Sequence, residues 1–286
     1  MDQSDNNQDS SFDLKTNQLI INLNQMKYNY LYYDIIVTSY LYPVLLLNLR
    51  RQANQSLFAI GQETKVNNYF QMFRIIKKDR IDGFYKGITP LYSQKLLQTY
   101  VQTFFQNSSE FKFNELIKLS TLYITYPMIL ISDMLVLNSY KPISSSNGGF
   151  EMFQILYDQY GGLKGIYKGF SLFFVANLIK ALPLAFVNQN NNDKYYLYFI
   201  SSILSYPFET LRARLIAIPD LNLNAKTMYS FAQNMYKYES IKGYFVGYLP
   251  FLTFNLMLQA YNKYYLSQTL KTNLKSQKQI PKKITD

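Results

Sequence analysis

Tyr206-Pro207-Phe208-Glu209-Thr210-Leu211-Arg212-Ala213-Arg214 closes an apolar, helix-like run, and its opening Tyr-Pro pair occurs twice more in the chain, at Tyr42-Pro43 and Tyr126-Pro127. The three prolines are 84 and then 80 residues apart. Each is followed 36 to 40 residues later by Gly-x-x-x-Gly: Gly83 to Gly87, Gly165 to Gly169 and Gly243 to Gly247. The second glycines are 82 and 78 residues apart. Proline follows three residues later at Pro90 and Pro250, whereas the second repeat has Leu172 there. A proline inside a helix is by itself only a kink, and Gly-x-x-x-Gly by itself suggests close helix packing. Both signs recurring in one order at one period make three repeats of about eighty residues, the first thing to seek in a sequence.

Each repeat reads as a long helix running past Tyr-Pro, a polar stretch with a short amphipathic helix, the glycine element, and a second long helix. Val66 to Lys78, with Phe70, Phe73 and Ile76, is the clearest short helix. The long helices are expected near 30–53, 88–107, 114–139, 170–189, 195–217 and 248–268. Ser144 to Gly149 reads as a loop and Asn188 to Asp193 as a tight turn. The expected fold is an all-α membrane protein with six transmembrane helices in three pseudo-symmetric repeats. The divisions are a polar tail at 1–29, repeats at 30–109, 110–193 and 194–270, and a basic tail at 271–286. An even number of spans puts both termini on one side.

Composition fits this reading. Hydrophobic residues make up 48% of the 286 and charged residues 16%, below the usual quarter. The mean hydropathy of −0.14 requires amphipathic spans with polar faces turned to a cavity or to partners. No segment is a clean run of eighteen apolar residues. The chain has no cysteine, histidine or tryptophan. That excludes cysteine-held metals, disulfides and histidine-dependent triads. No lysine-base or paired-carboxylate constellation stands out, so neither an enzyme nor a metal site is expected.

The net charge of +11 is uneven. Met1 to Gln18 carries Asp2, Asp5, Asp9 and Asp13 against Lys15, and Lys263 to Asp286 carries six lysines against one aspartate. A basic tail beside a membrane span attracts anionic lipid or an acidic partner, or is simply a solvated tail. No folded basic domain accompanies the lysines, so nucleic acid is not an expected partner. The acidic, Asn/Gln-rich start resembles neither a secretory signal nor an arginine-rich transit peptide, and any targeting signal is expected inside the chain.

Over roughly residues 30 to 268 the chain resembles the mitochondrial carrier family. That family's signature is Pro-x-acid-x-x-base-x-base, then acid-Gly, four residues, and aromatic-base-Gly. Pro207, Glu209, Arg212 and Arg214 give the first part in full. Tyr85-Lys86-Gly87 and Tyr167-Lys168-Gly169 match the last part, Asp79 and Glu239 stand at the acid of acid-Gly, and Gly162 stands at its glycine. Elsewhere the pattern decays. Pro43 is followed by Leu45 and Asn48, with Arg50 as second base; Pro127 is followed by Ile129, Ser132 and Met134.

The resemblance implies that the acid of each odd helix pairs with the base of the next, closing the matrix side of a central cavity. Those pairs here are Leu45 with Ser132, Ile129 with Arg212, and Glu209 with Asn48, none of them ionic. A close pair gains about 4 kcal/mol before desolvation at an effective permittivity near 20, so three such pairs make a switchable latch that this chain lacks. Glu209 and Arg212 are spaced to pair locally. Leu91 to Asn107, Phe170 to Asn192 and Leu249 to Leu270 contain no acid for a second latch.

Lys95 and Lys180 on the even helices are the candidate substrate contacts, since intramembrane charges are functional suspects; the alternative is snorkelling to an interface. Lys180-Ala-Leu-Pro183 resembles the family's Arg-x-x-Pro about one turn late. Glycines that open helices expose backbone N–H groups to phosphate, and the resemblance implies cardiolipin at Lys86, Gly87, Lys168, Gly169 and Gly247. The other reading of these glycines is capping and packing. The functional expectation is an inner-membrane accessory subunit of a respiratory-chain or ATP-synthase assembly without transport activity. The alternatives are a carrier for an anionic metabolite and a degenerate carrier acting in membrane-protein insertion or contact. The resemblance also implies short helices on the matrix side and termini toward the intermembrane space.

Overall fold

The computed structural model describes residues 31–32, 34–54, 68–78, 82–106, 114–137, 148–159, 161–186, 191–218, 225–253 and 255–257. Among these the chain is helical throughout, with no strand. Helix α1 covers 34–54. It is followed by α2 (Tyr69–Lys78), a 3-10 turn (Asp82–Phe84) and α3 (Ile88–Gln106). The second repeat has α4 (Asn114–Leu137), α5 (Gly149–Gln159), the single turn α6 (Leu163–Ile166) and α7 (Phe170–Phe186). The third has α8 (Asn191–Ile216), α9 (Ala225–Tyr244) and helical residues 248–253 and 255–257, here α10.

Two stretches among the described residues are long and apolar enough to cross a membrane, Ser120–Leu137 and Leu163–Pro183. The described parts of the other long helices fall close to their expected limits, and residues 258–268 of the last expected helix lie outside the described residues. Gly149 opens α5 and Asn191 to Asp193 open α8, so both connections are shorter than the sequence reading made them. Both polar tails, Asp79, residues 144–147 and the 188–190 part of the turn lie outside the described residues.

Pro127 and Pro207 sit inside α4 and α8. Each removes one backbone donor from its helix. The helices continue because packing on both sides holds them: α3 lies along α4, α7 along α8, and α4 also touches α7. Tyr126, Leu130, Met134, Ile216 and Ala217 meet Met152 and Leu156 of α5 in one core. Tyr42 and Leu46 meet Met72 and Ile76 of α2 with Val136 in a second. Leu172, Leu211 and Leu215 meet Met235 of α9 in a third. Each short helix therefore docks by a methionine onto the end of a Tyr-Pro helix.

Candidate functional site: the ring of Tyr-Pro joints and interior ion pairs

One joint is built three times. The Tyr42 hydroxyl donates to the Lys86 carbonyl at 2.6 Å, Tyr126 to the Lys168 carbonyl at 2.5 Å, and Tyr206 to the Val246 carbonyl at 2.7 Å. In each case the accepting carbonyl belongs to the residue before the second glycine of Gly-x-x-x-Gly. The same tyrosine stacks on the aromatic residue two positions before that glycine: Tyr85, Tyr167 or Phe245, at 6.3, 6.1 and 6.2 Å between ring centroids. The glycines Gly87, Gly169 and Gly247 have φ of 83°, 77° and 86°. Side chains other than glycine avoid that region.

Those glycines are also where one repeat meets the next. A Cβ on Gly87 would lie 2.6 Å from the Ser132 carbonyl oxygen, and one on Gly169 would lie 3.1 Å from an Ile216 methyl and 3.4 Å from the Arg212 side chain. A Cβ on Gly247 would run into the Asn48 amide. Repeat one thus packs on repeat two, two on three, and three on one, a closed ring. Ser132, Arg212 and Asn48 occupy equivalent places, five residues after each proline. The Ser132 hydroxyl donates to the Gly87 carbonyl at 2.6 Å. The second bases work alike. Arg50 Nε donates to the Val136 carbonyl and Arg214 Nε to the Gln52 carbonyl, both at 3.1 Å. Each arginine is seven residues past its proline, and each carbonyl nine past the proline of the next repeat.

The signature residues of the third repeat are engaged differently from their spacing. Arg212 does not pair with Glu209. Its Nη2 lies 2.5 Å from Asp133 Oδ2 on α4, and its guanidinium faces the Tyr126 and Phe173 rings at 5.4 and 5.2 Å. Asp133 is one turn beyond Ile129, the position where the sequence reading looked for an acid, and it ties α4 to α8. Glu209 pairs with Lys180 of α7 instead. Arg214 makes a bidentate pair with Glu239 of α9, at 2.6 and 2.8 Å, and also reaches the Gly243 carbonyl at 3.2 Å. Two parallel N–H···O bonds fix the planar guanidinium better than a point charge would be fixed.

Lys95 pairs with Asp34 of α1. Both candidate substrate lysines are therefore tied to an adjacent odd helix, and the sequence reading had given neither a partner. The Lys180 ammonium also lies 5.2 Å from the Phe251 ring of α10. Lys168 is buried, and its Nζ donates to the Ile218 carbonyl at 2.5 Å, a bond across to the third repeat. At that joint the ammonium is turned into the chain. Gln52 adds a polar tie between repeats one and three, donating to the Tyr206 hydroxyl at 2.8 Å. Sequence reasoning missed Asp34, Asp133 and Gln52. Searching one turn either side of each vacant signature position would have found Asp133.

Ser240 is a second departure. It has φ 56° and ψ −161°, and it breaks α9 directly after Glu239. Gly162, with φ 69° and ψ −129°, holds the corresponding place in repeat two. Both are seven residues before the joint glycine. Ser240 is thus a serine in a conformation that nearly always requires glycine.

No family model matches this chain, and no curated protein matches it in sequence.

Proposed function

We propose that this chain is a six-span membrane protein on the mitochondrial carrier scaffold that serves as a non-transporting accessory subunit of a respiratory-chain or ATP-synthase assembly in the inner membrane. The observation that carries the reading is the disposition of interior charge. Lys95, Lys180, Arg212 and Arg214 each meet a carboxylate within the chain. The register positions that would form exchangeable pairs hold Leu45, Ser132, Ile129 and Asn48. Alternating access needs contacts that form in one state and release in the other. A scaffold whose ring is closed by glycine packing and tyrosine–carbonyl bonds, with its cations already committed, favours one state. The three joints support the three-repeat reading, because a repeat in sequence alone need not place Tyr42, Tyr126 and Tyr206 on equivalent carbonyls.

The six spans rest on the three-repeat reading: two stretches among the described residues are apolar enough to cross a membrane, and the other expected spans are polar enough to need a lined interior or a neighbour. A partner complex supplies that neighbour. Phospholipid contact, cardiolipin included, falls at the joints at Lys86-Gly87, Gly169 and Gly247 through backbone amides and Lys86. The termini then face the intermembrane space.

Gentle detergent extraction of native membranes, native gel separation and mass spectrometry of the bands test this. Co-migration in fixed ratio with a respiratory or ATP-synthase complex is the expected result. Migration at carrier size, free of partners, overturns it. The second reading, a solute carrier, draws on the placement of Lys95 and Lys180 on even helices. Uptake of an anionic metabolite into liposomes that is lost in Lys95→Gln and Lys180→Gln supports that reading instead.

A further inference from the structure

Helix α2 turns Met72 and Ile76 inward, both fully buried against Tyr42, Leu46 and Val136. Its opposite side carries Phe70, Phe73, Arg74 and Lys77, all exposed. These four are spaced i, i+3, i+4 and i+7, so they form one stripe along the helix. Phe70 keeps 64% of its surface open and Phe73 41%, although each is a large apolar side chain. The Arg74 guanidinium lies over the Phe70 ring at 4.6 Å, and Phe73 leans on Phe84 at 5.1 Å. The stripe therefore holds its aromatic rings and its cations side by side, pointing outward. Helix α2 contains no carboxylate to neutralise those cations.

The equivalent helix of the second repeat is the contrast. Helix α5 exposes Phe150 and Tyr157 but carries Glu151 and Asp158, with no lysine or arginine in it. Helix α9 exposes Tyr229, Tyr236 and Lys237 on one stripe before its break at Ser240, and Lys242 lies beyond the break, so that described stripe carries one cation where α2 carries two.

We infer that the Phe70–Phe73–Arg74–Lys77 stripe of α2 docks on the surface of an anionic lipid leaflet, and that α5 does not. Exposed rings beside cations that have no carboxylate on their own helix match what an interfacial helix requires: rings reach the acyl boundary while cations meet headgroup phosphates. Each cation near an anionic leaflet is worth about fivefold in the docking equilibrium. A repulsive −2 on α5 excludes the same leaflet from that helix. The protein thus sits on its membrane asymmetrically, with repeat one drawn to negatively charged lipid. This rests on reading the chain as a membrane protein.

The absence of tryptophan makes the test direct. Phe70→Trp and, separately, Phe150→Trp each supply a single tryptophan in the full chain, excited at wavelengths its tyrosines do not absorb. Each variant is reconstituted into phosphatidylcholine vesicles, with or without phosphatidylglycerol, containing lipid brominated near the headgroup end of the acyl chain. Flotation of the vesicles comes first. The expected result is that Phe70→Trp is quenched more strongly when anionic lipid is present. That gain disappears in Arg74→Gln/Lys77→Gln, and Phe150→Trp shows no such gain. Quenching of Phe70→Trp that ignores lipid charge, or its quenching by aqueous iodide alone, overturns the proposal; the latter outcome leaves the stripe to water or to a protein partner. Protein that fails to float overturns the membrane reading as well, which separates the two failures. If Phe70→Trp does not fold, Phe73→Trp carries the same comparison.

Discussion

The joints and the ion pairs of this ring follow different rules. At the joints, three repeats separated by about eighty residues reproduce one geometry: tyrosine hydroxyl on carbonyl, stacked ring, and glycine at φ near +80°. Arg50 and Arg214 still donate to equivalent carbonyls, but the ion pairs differ from repeat to repeat. Arg212 is met by an acid one turn from the expected place, Glu209 is met by an even-helix lysine, and Asn48 and Ser132 replace bases. The difference teaches what packing tolerates. A joint residue at positive φ with a neighbouring repeat pressed against it, by backbone at Gly87 and by side chains at Gly169 and Gly247, suits only glycine. A charge on a long flexible side chain finds a partner anywhere within about a turn, so its partner drifts.

The comparison breaks most readily at Arg214, where charge and joint coincide. Arg214→Met strands Glu239 and frees the Gln52 and Gly243 carbonyls. It is expected to cost about 3–5 kcal/mol, seen as loss of folded protein or a large fall in unfolding temperature in detergent. Gly87→Ala comes next at roughly 3 kcal/mol, since positive φ and the Ser132 backbone both oppose a methyl group. Gly161 also has φ of 87° but nothing within 4 Å of its would-be Cβ. Gly161→Ala therefore isolates the backbone part, and should lose about 1–2 kcal/mol by the same assay. Equal losses at the two glycines would mean that contact with Ser132 contributes nothing.

Ser240→Gly runs the other way. It relieves a strained backbone and should raise stability by about 1 kcal/mol, read as a higher unfolding temperature. Tyr126→Phe removes the bond to the Lys168 carbonyl and a contact of Arg212, for about 1–3 kcal/mol. Smallest is Lys95→Gln, at under about 1 kcal/mol, because both it and Asp34 keep some exposure. A loss at Lys95 as large as that at Gly87 would erase the distinction between the fixed joints and the adaptable charges.

The sequence made the repeat legible because Tyr-Pro and Gly-x-x-x-Gly recur at a fixed offset, but it did not show that each tyrosine hydroxyl meets the carbonyl before the joint glycine. Within the described residues it also placed the limits of the long helices well, apart from the start of α8, and the start of α5 lay in what it read as a loop. The pairings of Lys95, Lys180 and Arg212 were not legible. Asp34 lies outside any motif, and Asp133 is hidden one turn past a vacant position. Which carboxylate a cation meets depends on how far neighbouring helices are rotated and shifted, which a pattern within one helix does not encode. The strain at Ser240 was equally hidden, since nothing in the residue type marks a serine for positive φ.

The central claim is that this ring is static. Because the chain has no cysteine, paired spin labels attached at Gln154 of α5 and Gln233 of α9, both exposed, report directly on the seam held by Asp133 and Arg212. Pulsed electron resonance on the reconstituted protein should give one narrow distance distribution, unchanged by a mixture of anionic metabolites. Two populations whose ratio shifts with added solute would show alternating access and contradict the account.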